Sequence, residues 1–458
     1  MTRYRPIISK AIIYTSLYIF TGGIILSAIL LDSVSDSRFP LLRAIIIFFA
    51  SILLTKYFLY MILSPLYDIK LAYRQRQLRD RIATYRPLVS VMIPAWNEGV
   101  GVLATIQSLL ESSYTNLEVV VVNDGSTDNT DAIVRTFAKE YEKQQFARTG
   151  SKNTAPRLVY YACPQNGGKG NALNTAIRIA QGDILISIDA DCIVEKNAVS
   201  NFVKHFADPT VMAAVGNVKI GNTKKVIGMV QYLEFLFSFY FKKADSLMNS
   251  IYIIGGAAGA FRREVFERVG DYSTTNITED IELSVRIQDA GMKINYVADA
   301  IIYTEGASDL NGLMKQRLRW KRGRFETFLQ HRNLFFSLRK RHNKILTCVL
   351  LPLALFAEIQ LFLEILFLGF LYIYSFATND FSSFLSGVII VSSMFFVQMF
   401  FDEKKTRRVS FFLLSPIGWV LFYLSTFVEY QALLRSVWGF IRGKEVKWQR
   451  WQRTGAMG

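Results

Sequence analysis

Apolar positions are spread unevenly along the chain. Residues 11–31 form a nearly unbroken apolar run and 44–66 a second. Each is long enough to cross about 30 Å of hydrocarbon at roughly 1.5 Å per residue. Between about 88 and 335 the pattern shortens. Branched apolar runs at 88–93, 117–122, 158–162 and 184–188 alternate with amphipathic stretches such as 101–112 and 171–180. Such alternation predicts an α/β unit, a mostly parallel sheet with helices on both faces. Continuous apolar character returns at 345–377, 382–401 and 409–434. The expected division is therefore 1–87 (two membrane helices and a basic linker), 88–335 (a cytosolic domain) and 336–458 (membrane or interfacial helices and a basic tail). The polar stretch 143–157 reads as an exposed insertion within the domain.

Charge orients these runs. Arg3, Arg5 and Lys10 precede the first, and Asp32 and Asp36 follow it. Lys70, Arg74, Arg76, Arg79 and Arg81 follow the second, so the positive-inside bias returns the chain to the cytoplasm before residue 88. The first run is too long for a signal peptide and has no convincing cleavage site. A composition of 51% hydrophobic and 20% charged residues over 458 positions suits a globular domain joined to membrane spans. A formal charge of +16 could suit nucleic acid, but the excess lies in 71–86, 339–344, 404–408 and 435–453, beside apolar runs. That placement favours anionic lipid headgroups, so a lipid bilayer is expected as a partner and nucleic acid is not. The expected location is a bacterial-type cell membrane, crossed several times, with the domain facing the cytoplasm. Three full C-terminal crossings would leave the basic tail outside, and the sequence leaves the number of spans open. Cys163, Cys192 and Cys348 lack the spacing of a disulfide framework or a zinc site.

The polar motifs follow predicted strands, where parallel sheets bind ligands. Pro94-Ala95-Trp96-Asn97-Glu98 closes the first strand, and Asn123-Asp124-Gly125-Ser126-Thr127-Asp128 the second. Asp124 can accept from a base N–H or a ribose hydroxyl and Asp128 can cap the next helix, although simple turn chemistry explains both. Gly167-Gly168-Lys169-Gly170 precedes a helix, with Lys169 a point charge for a phosphate. It lacks the spacing of a P-loop. Asp189 and Asp191 follow 184–188, and alternation aims them to one side. Hard oxygens there suit Mg²⁺ or Mn²⁺ bridging to a diphosphate, or are merely two solvated loop acids. Thr278 is placed to cap a helix starting near Glu279, with Asp280 in its first turn as a candidate base; acids favoured by the helix dipole are the plainer reading. Gln316, Arg319 and Trp320 fall at i, i+3 and i+4 and share a helical face. Lys56, Glu358, Glu364 and Glu429 lie in or near the apolar runs, where ionisable groups are costly. They read either as the lining of a polymer conduit or as ion pairs that position helices.

In this order, PAWNE, NDGSTD, GGKGNALN, DAD, GGAAGAFRR, TED and QRLRW resemble the processive membrane synthases of glycosyltransferase family 2, the makers of cellulose, chitin, hyaluronan and poly-N-acetylglucosamine. The context of Ile277-Thr278-Glu279-Asp280-Ile281 is most similar to bacterial poly-N-acetylglucosamine synthases. The resemblance implies a nucleotide-diphospho-sugar transferase fold and an inverting β-transfer from a UDP-sugar, UDP-N-acetylglucosamine favoured, with Mg²⁺ or Mn²⁺ as cofactor. It implies that Glu98, Asp124, Lys169, Asp189 and Asp191 serve the nucleotide sugar, and that Asp189 and Asp191 hold the metal. Asp280 would be the base, while Glu279, Gln316, Arg319 and Trp320 would hold the diphosphate and the acceptor end. The acceptor would be a growing polysaccharide or a lipid-linked sugar, and an accessory membrane subunit is a further possible partner. Trp96 stands where the family commonly has Tyr or His, and Gly255-Gly256 where its small-residue turn often includes Ser or Cys. A single-addition transferase on a lipid acceptor and a catalytically silent scaffold are the competing readings.

Overall fold

Leu117–Asn123 is buried at every position, as a strand with neighbours on both edges and cover on both faces must be. It is β2 of the computed structural model, which describes residues 40–149, 156–402, 409–412 and 415–442. The first apolar run, 11–31, and most of the basic segments 404–408 and 435–453 lie outside the described residues. The other strands are β1 (Val89–Ala95), β3 (Arg157–Ala162), β4 (Ile184–Ser187), β5 (Cys192–Val194), β6 (Val211–Ile220), β7 (Gly259–Arg262) and β8 (Lys293–Thr304). They form one sheet in the order β3-β2-β1-β4-β7-β6-β8-β5.

β3, β2, β1 and β4 are parallel, as the alternating pattern predicts. Beyond β4 the sheet is mixed, which corrects the mostly parallel expectation. β7 runs antiparallel to both β4 and β6, and β5 antiparallel to β8. Antiparallel neighbours need no crossover to the far end of the sheet. The chain leaves β6, traverses the helix Val226–Leu247 and re-enters as β7 from the same end.

The predicted insertion at 143–157 is also corrected. The helix Thr130–Thr149 runs through its first half, and 150–155 lie outside the described residues. Its Lys, Glu and Gln residues are good helix formers, so their polarity marked an exposed helix rather than a loop.

The helix Pro40–Gln77 contains the second apolar run and continues past it into the α/β unit. Tyr67 joins the main core, and its hydroxyl donates to the Tyr296 carbonyl at 2.6 Å. Arg74 pairs with Asp208 at 2.6 Å, and Ser64 donates to the Tyr240 carbonyl on Val226–Leu247 at 3.0 Å. At the other end, Leu346–Thr378 and Ser415–Ile441 are long and apolar enough to cross a membrane, and Phe384–Phe400 is a shorter apolar helix. Within the predicted run 409–434, Val409–Phe412 is helical, Ser415–Ile417 is a 3-10 turn containing Pro416, and the helix Gly418–Ile441 follows.

Candidate active site

The ends of β1 and β2 are locked together by side chains. Asn97, in the left-handed region at φ 55°, accepts through Oδ1 from the Thr127 amide at 2.7 Å and the Asp128 amide at 3.2 Å. Its own N–H donates to Ser126 Oγ at 2.8 Å. The Glu98 amide donates to Thr130 Oγ1 at 2.9 Å, and its carbonyl starts the helix Val102–Leu110. Glu98 itself is half-buried at this junction. Asp128 accepts from the Thr130 amide at 3.0 Å, ahead of the helix it was expected to cap.

Asp124 organises the next loop. Its carboxylate accepts from the amides of Gly167 at 3.0 Å and Gly168 at 2.8 Å, and from Asn166 Nδ2 at 2.9 Å. Burial raises its pKa, and the two glycine amides oppose that rise. Gly125 at φ +65° is required there, because a Cβ would lie 2.5 Å from the Asn166 nitrogen. The sequence assigned Asp124 to a nucleotide; the structure shows it first as the residue that shapes the glycine loop.

Lys169 opens the helix Lys169–Ile179 and aims its ammonium at three carboxylates. Nζ lies 2.6 Å from Asp189 and 3.5 Å from Glu279. Burial opposes its charge, but Asp189, Glu279 and Asp280 together outweigh that and raise its pKa. Burial also raises the Glu279 pKa; Lys169 opposes this, Asp280 reinforces it, and Arg319 adds a second opposing charge. Asp189, Asp280 and Arg319, far apart in sequence, therefore share one electrostatic field. Asp191, two residues on from Asp189 and buried, has Thr304 Oγ1 at 3.5 Å and Cys192 Sγ at 3.7 Å. The two acids flank Ala190 in the turn between β4 and β5.

Asp280 sits in the first turn of Glu279–Asp289. Its Oδ2 accepts from the Gly256 amide at 2.8 Å and its Oδ1 from the Ile281 amide at 2.9 Å. Ser187 Oγ, at the end of β4, holds the Gly256 carbonyl at 2.7 Å. The expected Thr278 side-chain cap is absent, and its Oγ1 donates to Asn276 Oδ1 at 3.1 Å. The QRLRW helix, Leu310–Gln330, lies against this turn at Gly323, where a Cβ would come within 2.2 Å of Thr278 Oγ1. Gln316 is buried, while Arg319 and Trp320 are half-buried, with Trp320 6.4 Å from Phe235 between ring centroids.

The sequence profile described as "Glycosyl transferase family 2" matches residues 90–270, and that described as "Glycosyl transferase family group 2" matches 184–379. Together they run from β1 into the first C-terminal apolar helix. The chain belongs to glycosyl transferase family 2. Among its relatives are a poly-beta-1,6-N-acetyl-D-glucosamine synthase of Staphylococcus epidermidis, 29% identical over 334 residues, covering 70% of this chain and 76% of that one. The same-named protein of Staphylococcus aureus strain COL is 29% identical over 254 residues, covering 55% and 57%. The fold is also that of the mannosyltransferase PcManGT from Pyrobaculum calidifontis, solved in complex with GDP-Man and Mn²⁺, at TM-score 0.53 and 21% identity over 85% of this chain and 99% of that one.

Several of this transferase's site residues escaped the sequence reading. Asn97, Asn166 and Ser187 act through backbone geometry that no short motif declares. Lys242 is another: burial lowers its pKa, while Asp245 and Asp280 oppose that from either side. Its signal was a Lys242-Lys243 pair directly after the apolar, aromatic-rich stretch 235–241 of the helix. Of the expected conduit residues, Lys56 lies 5.7 Å over the Tyr60 ring, and Tyr60 donates to Asp245 at 2.6 Å. Glu358 instead pairs with Lys321 at 2.7 Å and with Arg324, the ion-pair alternative. Glu364 lies within the field of Lys321 without a bond to it in the contacts described.

Proposed function

We propose that this hexosyltransferase is a membrane-bound processive synthase that polymerises N-acetylglucosamine from UDP-N-acetylglucosamine through β-linkages and passes the polymer outward between its apolar helices. The observation that carries the reading is the Asp280 carboxylate. It is fixed by Gly256 at 2.8 Å, next to the Lys169–Asp189–Glu279 cluster and below the QRLRW helix. A carboxylate held this way can take the proton of an acceptor hydroxyl as its oxygen attacks the anomeric carbon. The bond from that carbon to the diphosphate breaks on the opposite face, which inverts the centre and releases UDP. Lys169 and Arg319 balance charge on the departing diphosphate, and Trp320 offers a flat surface for the acceptor sugar. Asp124 and Glu98 shape the pocket for the uridine end.

A divalent cation fits the donor set. Asp191 is a buried hard-oxygen donor at a strand end, whereas Asp189 is already countered by Lys169. Among the described residues, no three His, Cys, Asp or Glu side chains converge as a closed cage. Asp191, with Asp189 beside it, would therefore hold Mg²⁺ or Mn²⁺ together with the diphosphate and water, and the ion would supply charge to the leaving group.

The test gives the full chain, purified in lipid, a panel of UDP-sugars with Mg²⁺ or Mn²⁺ and measures UDP release and product size. UDP-N-acetylglucosamine should support release and long polymer, and Asp280→Asn should lower release by about 10²–10⁴-fold. Undiminished release by that variant removes Asp280 from the mechanism. A product extended by a single sugar on a lipid establishes the single-addition reading instead.

A further inference from the structure

The QRLRW helix has a second face. Arg317, Lys321 and Arg324 fall at i, i+4 and i+7, so they line one stripe. Arg317 is 1% exposed. Its Nη2 lies 2.6 Å from Glu234 and its Nε 2.9 Å from Glu429. Lys321 bridges Glu429 at 2.8 Å and Glu358 at 2.7 Å, and Arg324 completes the row on Glu358. Each acid comes from a different helix: Glu234 from Val226–Leu247, Glu358 from Leu351–Thr378 and Glu429 from Gly418–Ile441. The bases and acids balance in number. Ions this buried lose most of their hydration and persist only with close, well-oriented partners.

Arg317 also reaches across to the site-facing side of its own helix. Its Nη1 donates to Gln316 Oε1 at 2.9 Å, and its guanidinium lies 4.2 Å from the Trp320 ring centroid. One side chain therefore touches two of the four residues expected to hold the diphosphate and acceptor end, and two acids that anchor the helix from behind. We propose that Arg317 is a positioning residue for the transfer reaction. It sets the Gln316 amide and the Trp320 ring, while the Arg317–Lys321–Arg324 ladder fixes the rotation of the QRLRW helix against the C-terminal apolar helices. This rests on the transferase reading above. Only a planar, forked cation can serve both acids, donate to Gln316 and lie over an indole at once, so lysine is not an equivalent here.

The test compares Arg317→Lys, Glu429→Gln and Glu358→Gln in the full chain reconstituted in lipid, scoring only variants whose melting temperature stays within a few degrees of wild type. Arg317→Lys should lower polymer-forming kcat about tenfold or more and leave the donor KM within about twofold. Glu429→Gln, which strips a partner from Arg317, should share that split. Glu358→Gln, which touches the ladder only beyond Arg317, should fall much less. A second readout needs no turnover: the Trp320 emission, taken as the difference spectrum with and without Trp320→Phe, should shift in Arg317→Lys and not in Glu358→Gln. Wild-type kcat together with an unshifted spectrum in Arg317→Lys overturns the proposal, as does an equal loss in Glu358→Gln and Glu429→Gln. If Arg317→Lys itself melts early, Glu429→Gln and its spectrum decide alone. Wild-type protein that releases no UDP from any donor defeats the transferase reading instead, and the spectral arm still reports on Arg317.

Discussion

At the scale of single residues, the site depends on what is missing at Gly256. A Cβ there would stand 2.5 Å from Lys169 Nζ and 3.4 Å from Asp280 Oδ2. Gly256→Ala is therefore expected to push the ammonium off the acid cluster and lower UDP release by about tenfold to a hundredfold with little change in melting temperature, since small displacements of reacting groups cost that much. Wild-type release in this variant would show that Lys169 can retreat at no cost. Asp124→Asn keeps the shape but trades one of the two acceptor oxygens for an NH₂ that faces the Gly167 or the Gly168 amide. The donor KM should rise about tenfold or more, as expected for losing a charge-assisted bond, with kcat affected less. A steady-state KM–kcat split checks this. Asp124, Lys169, Asp189 and Asp280 were legible because each follows an apolar run that had to be a strand or precedes one that had to be a helix. Their partners were not. Nothing in the motif says that Asp124 binds the glycine loop, or that Thr278 turns its hydroxyl to Asn276.

At the scale of elements, the parallel half of the sheet could be read from its branched apolar runs. β7 could not, because four residues carry too little periodicity and their direction depends on a helix and loop between them and β6. The helix Ala198–Phe206 adds a pH dependence. Burial lowers the His205 pKa from 6.5 to about 4, helped by Lys204 and Lys293, and its Nε2 is buried with no hydrogen-bond partner. Between those values the unfolded chain binds the proton that the folded chain refuses, so stability is full above 6.5 and falls as pH drops toward 4. The fall should be on the order of 1–3 kcal/mol. His205→Gln should flatten this limb of a melting-temperature profile, and an unchanged limb would assign it to other groups. Gly323 tests a second contact. Gly323→Ala should drive the QRLRW helix off Thr278 at about 1–3 kcal/mol of stability, and urea unfolding would reveal it.

At the scale of the whole molecule, the expectation that the apolar runs hold ionisable groups for a purpose divides. Glu358 and Glu429 are bound to the QRLRW helix, which no apolar pattern could disclose because their partners lie more than thirty residues away in sequence. Lys56, with Tyr60 and Asp245, forms a second polar group that leads toward Lys242 and Asp280. Lys56→Leu should spare UDP release on a short acceptor and shorten the exported polymer, as measured by size-exclusion of the product outside sealed vesicles. Normal export by that variant would remove Lys56 from the path.

The helix Pro40–Gln77 does more than lead up to the sheet. Tyr67 fills part of the main core, Leu71 packs against it, and Arg74 clasps the start of β6 through Asp208. A fragment cut at residue 88 would open that core on one side. Part of the α/β core is thus supplied by the same helix that carries the second apolar run. On the function proposed above, a chain that failed to seat that helix is expected to lose UDP release together with part of its core, so that seating the helix would act as the licence for activity.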